Sequence, residues 1–482
     1  MASLKRNIVL NYINTLASIV FPIITFPYAS RILLPNGIGL VNFQNSVISY
    51  VTLFTSLGIP LYAVREVARC RDNVALRNKT TVEIAILSLV LCVVGYVAVF
   101  ILGEFVPRLH HDLALFYILS LSIVFTALGV EWFYKAIEDF KFITIKGLVI
   151  RALFVIALFV FVKSKHDILI YGLVVVGSTV GNNIVNFFHL RKYVKLDLIP
   201  WKELDIKRHV APALHIFVLN LIISLYVQLN AVMLGFMDSD AAVGLFTAGS
   251  KISNIILAIV TSMGAVMLPR CSHLIETHQL DKFKGLIGKS YHFTIAVSLP
   301  LTAGLMLLAR PVTLVFCGSD FVGAVLVVII TAPVIVFISL TNLLGIQILY
   351  PMGKENLVII STLGAAIVNI VLNIFLIPRL AAVGTAISTF VAELVVLLLQ
   401  VGLGYRHIPF RAFDKSVFHY IAATCLMSGG VFLAGRLVTS MWLRLVVSVV
   451  AGMGVYCFIL LAWRDEVMTG IVDFVRKKVI NT

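Results

Sequence analysis

Fourteen apolar stretches, each long enough to cross a lipid bilayer as a helix, follow one another along the 482 residues of this chain. A hydrocarbon core of about 30 Å needs roughly 20 apolar residues in a helix. Only 13% of the residues are charged, whereas soluble domains carry about 25%. The strands of a membrane barrel would be about half as long and would alternate in polarity. The pattern therefore predicts an all-α polytopic membrane protein with about 14 transmembrane helices. The predicted spans are 7–30, 37–62, 80–103, 112–134, 141–163, 168–190, 209–236, 241–269, 286–308, 323–350, 355–377, 382–404, 418–438 and 443–463.

Positive charge alternates between the connections that join these spans. If the amino terminus is cytoplasmic, 28 of the 38 Lys and Arg residues lie on inner connections and 8 on outer ones. Cytoplasmic loops of membrane proteins carry such an excess, so we expect both termini in the cytoplasm and no cleavable signal peptide before the first span. The same rule explains the net charge of +15 and indicates membrane lipids, rather than nucleic acid, as the anionic partner.

Enzymatic and metal-binding patterns are not found in the sequence. The six cysteines form no C-x-x-C pair, the histidines show no ligand spacing, and no phosphate-binding G-x-x-x-x-G-K-[ST] loop occurs. The short connections leave no room for a soluble catalytic domain. We therefore expect no enzyme activity, no metal site and no cofactor other than a coupling ion.

The longest connection, 191–208, is basic and follows the sixth span, so it predicts a boundary between two six-helix lobes. The predicted lobes are 1–195 and 205–405, and 406–482 adds the last two spans and a cytoplasmic tail. Gly39-Leu40 at the start of span two matches Gly244-Leu245 at the start of span eight. Because spans one and seven would enter the membrane from the same side, the repeat is expected to be parallel, which is one of the known plans of transporters.

Two segments near the amino terminus carry a more specific resemblance. The first runs Phe26-Pro27-Tyr28-Ala29-Ser30-Arg31-Ile32-Leu33-Leu34-Pro35-Asn36-Gly37-Ile38-Gly39-Leu40-Val41-Asn42-Phe43. The second runs Ser56-Leu57-Gly58-Ile59-Pro60-Leu61-Tyr62-Ala63-Val64-Arg65-Glu66-Val67-Ala68-Arg69. Both resemble the signature of polysaccharide repeat-unit flippases, the O-antigen and capsule members of the multidrug/oligosaccharidyl-lipid/polysaccharide exporter superfamily.

The resemblance implies a V-shaped alternating-access transporter of the bacterial cytoplasmic (inner) membrane. Its substrate would be an undecaprenyl-pyrophosphate-linked oligosaccharide that moves to the periplasmic leaflet, and a polysaccharide polymerase complex is a candidate partner. A lipid II flippase is the nearer alternative, since it also has fourteen helices and a cationic cavity. A cation-coupled multidrug exporter of the same superfamily is the other, although such proteins depend on intramembrane carboxylates.

Arg151 and Lys251 are cations in the middle of predicted spans. A cation at the centre of a membrane helix costs about 2.5–3.5 kcal/mol on insertion scales, so it should face a partner or a wet cavity. One interpretation is that both line a central cavity and attract the pyrophosphate of the substrate. The alternative is a structural ion pair with Glu83, Glu131 or Glu393.

Arg31 and Arg65 close the first two spans at opposite faces. Pro22 and Pro27 should bend the first span, because each proline ring removes a backbone donor. Pro27 and Arg31 could then line a gate, and Arg31 is also a candidate for substrate binding in the central cavity. Arg65 with Glu66 could form another gate or a coupling element. The alternative for both arginines is an interfacial position with the charged group in water.

Amides also lie within the spans, where sugar hydroxyls would need hydrogen-bonding partners. Gln44 with Asn45, and Gln228 with Asn230, are the candidates for substrate contact, although intramembrane amides also join helix to helix. Glu393 is a deep carboxylate in span twelve, which could carry a coupling H⁺ or Na⁺ or neutralise a cation.

Overall fold

The computed structural model describes residues 4–195, 201–410, 412–465 and 467–470. Within these ranges every regular element is helical. The helices up to the middle of the chain are α1 (Leu4–Ser56), α2 (Ile59–Arg69), α3 (Val74–Phe105), α4 (Pro107–His110), α5 (Leu113–Gly129), α6 (Glu131–Ala136), α7 (Phe140–Phe161), α8 (Ile168–Leu190) and α9 (Val210–Met237). Those that follow are α10 (Asp240–Glu276), α11 (Leu280–Leu307), α12 (Ala309–Cys317), α13 (Ala324–Thr331), α14 (Val334–Asn342), α15 (Glu355–Gly404), α16 (Lys415–Leu437) and α17 (Met441–Ala462). A π-helical turn, Leu343–Leu349, extends α14, and short 3-10 turns cover Trp201–Glu203, Lys207–His209, Ser319–Phe321 and Tyr405–His407.

The helices agree with the fourteen predicted spans. Ten of the described helices are long and apolar enough to cross a membrane. Two of these ten contain two spans each because a kink divides the helix. One is the stretch formed by α1 together with α2, and the other is α15. The shorter apolar helix α5 and helix α9 supply the remaining two spans. The chain is thus an all-α polytopic membrane protein, as the sequence predicts.

The kinks stand where the sequence predicts short connections. In α1 the non-helical residue is Leu34, with φ 62° and ψ 176°. It precedes Pro35, whose ring disfavours the helical conformation of the preceding residue. The backbone therefore breaks at this third proline rather than at Pro22 or Pro27. In α15 the break is at Ala381, with φ 48° and ψ −125°.

Contacts divide the chain into two compact units, Met1–Gly244 and Leu245–Thr482. In the first, a buried apolar cluster joins α2, α3, α6, α7 and α9, with Phe133 and Tyr134 fully buried in it. In the second, α16 and α17 pack against α11, and the Tyr456 hydroxyl donates to the Ala296 carbonyl oxygen at 2.7 Å. The functional lobes 1–195, 205–405 and 406–482 stay a prediction.

The two repeated glycines meet in the first unit. A Cβ added at Gly39 would collide with the backbone oxygen of Asp240, and a Cβ added at Gly244 would collide with the backbone oxygen of Pro35. Each glycine therefore contacts the carbonyl that lies four residues before the other glycine. Two copies of a repeated segment that pack against each other produce reciprocal contacts of this kind.

A nearby arginine ties the same region together. Arg108 on α4 donates from Nη2 to Asp240 Oδ1 at 2.7 Å and from Nε to the Gly235 carbonyl oxygen at 3.2 Å. Its guanidinium also lies 5.7 Å from the centre of the Phe43 ring. These contacts join the turn between α9 and α10 to α4 and to the second half of α1.

The glycine crossing gives a test of the fold. We expect Gly39→Ala to lower the melting temperature of the purified protein, because the added methyl group must push two backbones apart. Overpacking of this kind costs about 1–3 kcal/mol. The matched control is Gly288→Ala in α11, where a Cβ would meet nothing within 4 Å. Equal melting temperatures for Gly39→Ala and the wild type would contradict the close crossing.

Candidate functional site

Arg151 lies in the middle of α7 and contacts the first helix. Its side chain is half-buried, and Nη1 donates to the backbone oxygen and to Oδ1 of Asn14 on α1, both at 3.2 Å. Gly147 lies one turn earlier on the same helix. A Cβ added there would stand 3.5 Å from Asn14 Oδ1 and 3.9 Å from Asn182 Oδ1. This side of α7 therefore combines a cation, an unfilled glycine position and two amides.

A second cation lies on the same helix, closer to its beginning. Lys146 is buried, and its Nζ donates to Asn186 Oδ1 on α8 at 2.7 Å. Glu131 on α6 is the nearby acid. It pairs with Lys135 at 2.9 Å and lies within electrostatic reach of both Lys146 and Arg151. We call Asn14, Glu131, Lys146, Arg151 and Asn186 the cation–amide cluster.

The structure gives Arg151 an amide partner, Asn14, which neither sequence interpretation named. The alternative ion pair with Glu131 is present only as a longer-range attraction, since the close partner of Glu131 is Lys135. Lys146 is not singled out by the sequence analysis. The signal was the run Gly181-Asn182-Asn183-Ile184-Val185-Asn186 in span six, because three amides in an apolar helix need polar partners.

The amide candidates occupy α1 and α9. Gln44 is fully buried, and its Nε2 donates to the Asp112 carbonyl oxygen at 3.3 Å. Its Oε1 is buried and has no hydrogen-bond partner in the described part of the chain. Gln228 Oε1 accepts from Ser46 Oγ at 3.3 Å. Asn45 is half-buried and Asn230 is buried. The structure thus joins the two helices through Ser46 and Gln228.

Arg31 stays close to its own helix. It is exposed, and Nη1 donates to the Pro27 carbonyl oxygen at 2.8 Å. Pro27 is half-buried, seven residues before the break at Leu34. This arginine therefore satisfies a backbone acceptor in the proline-rich part of α1.

Arg65 and Glu66 lie near the end of α2. Glu66 Oε1 is 3.0 Å from Arg69 Nη1 and 3.6 Å from Arg65 Nε, and both arginine side chains are more than half exposed. Exposed pairs of this kind contribute about 0–1 kcal/mol. The opposite face of α2 is apolar and buried. The geometry here is that of a surface ion-pair group on an amphipathic helix.

Lys251 and Glu393 lie in the second unit. Lys251 is half-buried in α10, and Cys317 at the end of α12 lies within its electrostatic reach. Glu393 is buried in the part of α15 that follows the kink. In the part before the kink, Asn373 Nδ2 donates to Asn369 Oδ1 at 3.1 Å, and both amides are fully buried. The second unit therefore has a deep cation, a deep carboxylate and an amide pair.

A further buried network surrounds Glu83 on α3. Glu83 is fully buried, and Oε2 accepts from Arg208 Nη2 at 2.5 Å and from His209 Nε2 at 3.0 Å. Oε1 accepts from the backbone N–H of Asp205 at 2.8 Å. Tyr62 OH lies 2.7 Å from His209 Nδ1. Both ring nitrogens of His209 are thus engaged, Nε2 with Glu83 and with Arg208 Nε at 3.3 Å, and Nδ1 with the Tyr62 hydroxyl.

The Glu83 network fastens the connection before α9 to α2 and α3. The sequence reasoning weighed Glu83 as a partner for a mid-span cation and counted Arg208 among the loop cations. The structure pairs these two residues with each other. A carboxylate in an apolar span signals that a partner exists, but it does not identify a partner 125 residues away in the sequence.

This network gives a stability prediction. We expect Glu83→Ala to lower the free energy of unfolding by about 3 kcal/mol, because the buried N–H groups of His209 and of the Asp205 backbone lose the carboxylate that accepts their hydrogen bonds. The control is Glu138→Ala, which breaks the exposed pair of Glu138 with Arg71 at 2.9 Å. Thermal unfolding of both variants in detergent measures the difference. A Glu83→Ala protein as stable as the control would contradict the network's structural role.

Metal ligands do not cluster in the part of the chain that the structure describes. No group of three or more His, Cys, Asp or Glu residues there could hold a metal ion. The six cysteines are free thiols, and four of them are buried.

Comparison with known proteins gives concordant results. The family described as "Polysaccharide biosynthesis protein" matches residues 4–275. A protein of Escherichia coli (strain K12) whose name describes it as an O-antigen transporter is 24% identical over 403 residues, which is 83% of this chain and 96% of that protein.

Two solved structures share the fold. The lipid II flippase MurJ in an inward closed conformation superimposes with a TM-score of 0.71 at 16% identity, over 95% of this chain and 99% of its own. An inward-facing multidrug transporter of the MATE family, from the MOP superfamily, gives a TM-score of 0.63 at 13% identity, over 80% of this chain and 94% of its own. At these identities the two likenesses establish the fold.

Proposed function

Because the chain belongs to the polysaccharide biosynthesis protein family, we propose that it is a flippase for undecaprenyl-pyrophosphate-linked oligosaccharide repeat units. It moves them by alternating access from the cytoplasmic to the periplasmic leaflet of the bacterial inner membrane. The proteins that it resembles are transporters and flippases, and this chain is a transporter rather than an enzyme.

The observation that carries the proposal is the cation–amide cluster. Arg151 is held by a neutral amide, so its guanidinium can exchange that bond for a stronger, charge-assisted bond to a phosphate oxygen. Lys146 adds a second positive charge on the same helix, and Lys251 is a separate deep cation within the second unit. Asn182 beside Gly147, and separately Gln228 on α9, supply donors and acceptors for sugar hydroxyls. A pyrophosphate with an attached glycan has the complementary chemistry.

The two other transport functions remain distinguishable by chemistry. A lipid II flippase would bind a pyrophosphate of the same kind, and this chain shares the fold of one such protein, MurJ. A multidrug exporter would instead bind cations or apolar molecules, which the cationic cluster disfavours. We propose Glu393 as the group that binds a coupling H⁺ or Na⁺, and a polysaccharide polymerase complex as a partner that receives the exported unit.

We expect Arg151→Ala and Lys251→Ala each to reduce surface polysaccharide at normal protein level in the membrane. Loss of a hydrogen bond to a charged group costs about 1.5–3 kcal/mol, which corresponds to roughly 10- to 100-fold weaker binding of the headgroup. Arg151→Lys should restore part of the activity, because the charge remains while the forked geometry is lost. The control is Arg436→Ala, whose guanidinium lies over the Phe432 ring at 4.5 Å.

The result that contradicts this assignment is wild-type polysaccharide from both Arg151→Ala and Lys251→Ala. Complementation of a strain depleted of its lipid II flippase distinguishes lipid II transport from transport of an oligosaccharide repeat unit. Growth of that strain on this protein would favour lipid II as the substrate over an oligosaccharide repeat unit.

The orientation is proposed with both termini in the cytoplasm. Lys202 lies in the connection before α9 and Asp238 directly follows that helix, and both side chains are exposed. In a cysteine-free background, we expect a cysteine at position 202 to react with a membrane-impermeant thiol reagent only after the membrane is opened. A cysteine at position 238 should react in intact cells from which the outer membrane has been removed. Labelling of both from the same side would contradict the topology.

A further inference from the structure

A pocket in the second unit lies at the end of the membrane helices and outside the cation–amide cluster. It has a volume of about 550 Å³ and is formed where α11 begins and where the chain continues beyond α15. Its lining includes Phe283, Lys284, Met352, Arg406, His407 and Phe410. Pockets for small ligands and cofactors usually have volumes of about 300–1,000 Å³.

The charged groups of the pocket are basic. Lys284 is exposed and has no acidic partner among the described residues, and no Asp or Glu lines the pocket. Arg406 donates from Nε to Tyr405 OH at 2.7 Å, and its guanidinium lies 5.4 Å from the centre of that ring. This contact orients the guanidinium and uses only one of its nitrogen atoms. Two cations and the half-buried His407 therefore face the same space without a carboxylate.

The other walls are apolar and well packed. Phe283 is buried in a cluster with Cys271, Ile287 and Ile348. Phe410 stacks on the Tyr291 ring with a centroid distance of 4.1 Å. The pocket thus combines fixed hydrocarbon walls with cations, which suits an amphipathic anion better than a fully hydrated one.

The position along the helices indicates the membrane interface. α11 begins at Leu280 and α15 ends at Gly404, and both helices are apolar enough to cross the bilayer. Tyr405 and Phe413 beside these ends are 61% and 72% exposed, and exposed aromatic rings favour the headgroup region. A ligand that reaches this pocket can keep its acyl chains in the bilayer.

We propose that this pocket binds the headgroup of an anionic phospholipid as a resident lipid. The phosphate would contact Lys284 and Arg406, and the glycerol and first methylene groups would contact Phe283, Met352 and Phe410. Basic pockets between membrane helices are a known mode of lipid recognition. The site is separate from the residues proposed to bind the transported substrate, so the inference does not depend on the proposed function.

The test is native mass spectrometry of the full-length protein with added phosphatidylglycerol or phosphatidylcholine. We expect the wild type to retain phosphatidylglycerol, and the double variant Lys284→Gln, Arg406→Gln to retain it about tenfold or more weakly, since each charge near the surface contributes to anionic lipid binding. The matched control is Lys282→Gln, Lys289→Gln, which removes two cations from the same end of α11 without altering the pocket lining.

Three results would overturn the proposal. Equal retention of phosphatidylcholine would show that the net negative charge of the headgroup is not recognised. An equal loss in the control variant would indicate a general effect of surface charge. Displacement of phosphatidylglycerol by millimolar inorganic phosphate, or by undecaprenyl pyrophosphate but not by other anionic lipids, would assign the pocket to a free anion or to the transported substrate.

Discussion

The hydrocarbon of a bilayer offers no hydrogen bonds, so a polar group inside a membrane helix must find its partner within the protein or in a wet cavity. Helix α7 imposes this requirement twice, through Lys146 and Arg151. Asn186 on α8 satisfies the first and Asn14 on α1 the second. The two cations thereby fix α7 against two neighbouring helices while the partners stay neutral. Glu131 attracts both cations at longer range but pairs closely with Lys135. Neither Lys146 nor Arg151 is therefore in a close ion pair among the described residues, and this is the basis of the proposed function.

Other polar contacts of the first unit hold helix α9 in place. Glu83 joins the connection before α9 to α3 through Arg208 and His209, and Arg108 joins the turn after α9 to α4 through Asp240. Between these contacts, α9 meets the second half of α1 through Ser46 and Gln228. Helix α9 is therefore attached at both ends by ionic contacts and along its length by an amide. A movement that separated α9 from the other helices of the first unit would have to break all three contacts.

Much of the fold was predictable because one physical requirement, the length of an apolar helix in a bilayer, determines it. The kinks illustrate the limit. The sequence predicts separate helices on either side of residues 31–36, and the structure bends a single helix at Leu34, since local geometry before Pro35 decides how the chain turns. The repeat of Gly39 and Gly244 was visible in the sequence, but their mutual contact was not.

The candidate site was predictable where a charged residue lies in an apolar span, as Arg151 does. Lys146 was not predicted because it lies near a helix end, where a lysine commonly extends its charged group to the membrane surface. The pairing of Arg208 with Glu83 was not predicted because no repeating sequence pattern links residues 125 positions apart.

The central claim is that this protein carries a lipid-linked oligosaccharide across the membrane without making or breaking its bonds. The most direct measurement is the leaflet distribution of that lipid in a strain that lacks the gene, assigned with an externally added sugar-binding probe that cannot cross the membrane. The account predicts normal synthesis of the oligosaccharide lipid, its accumulation on the cytoplasmic side, and exposure to the probe when the wild-type protein is restored. Normal exposure in the deletion strain without a second flippase, or equal rescue by a drug exporter of the same superfamily, would contradict it.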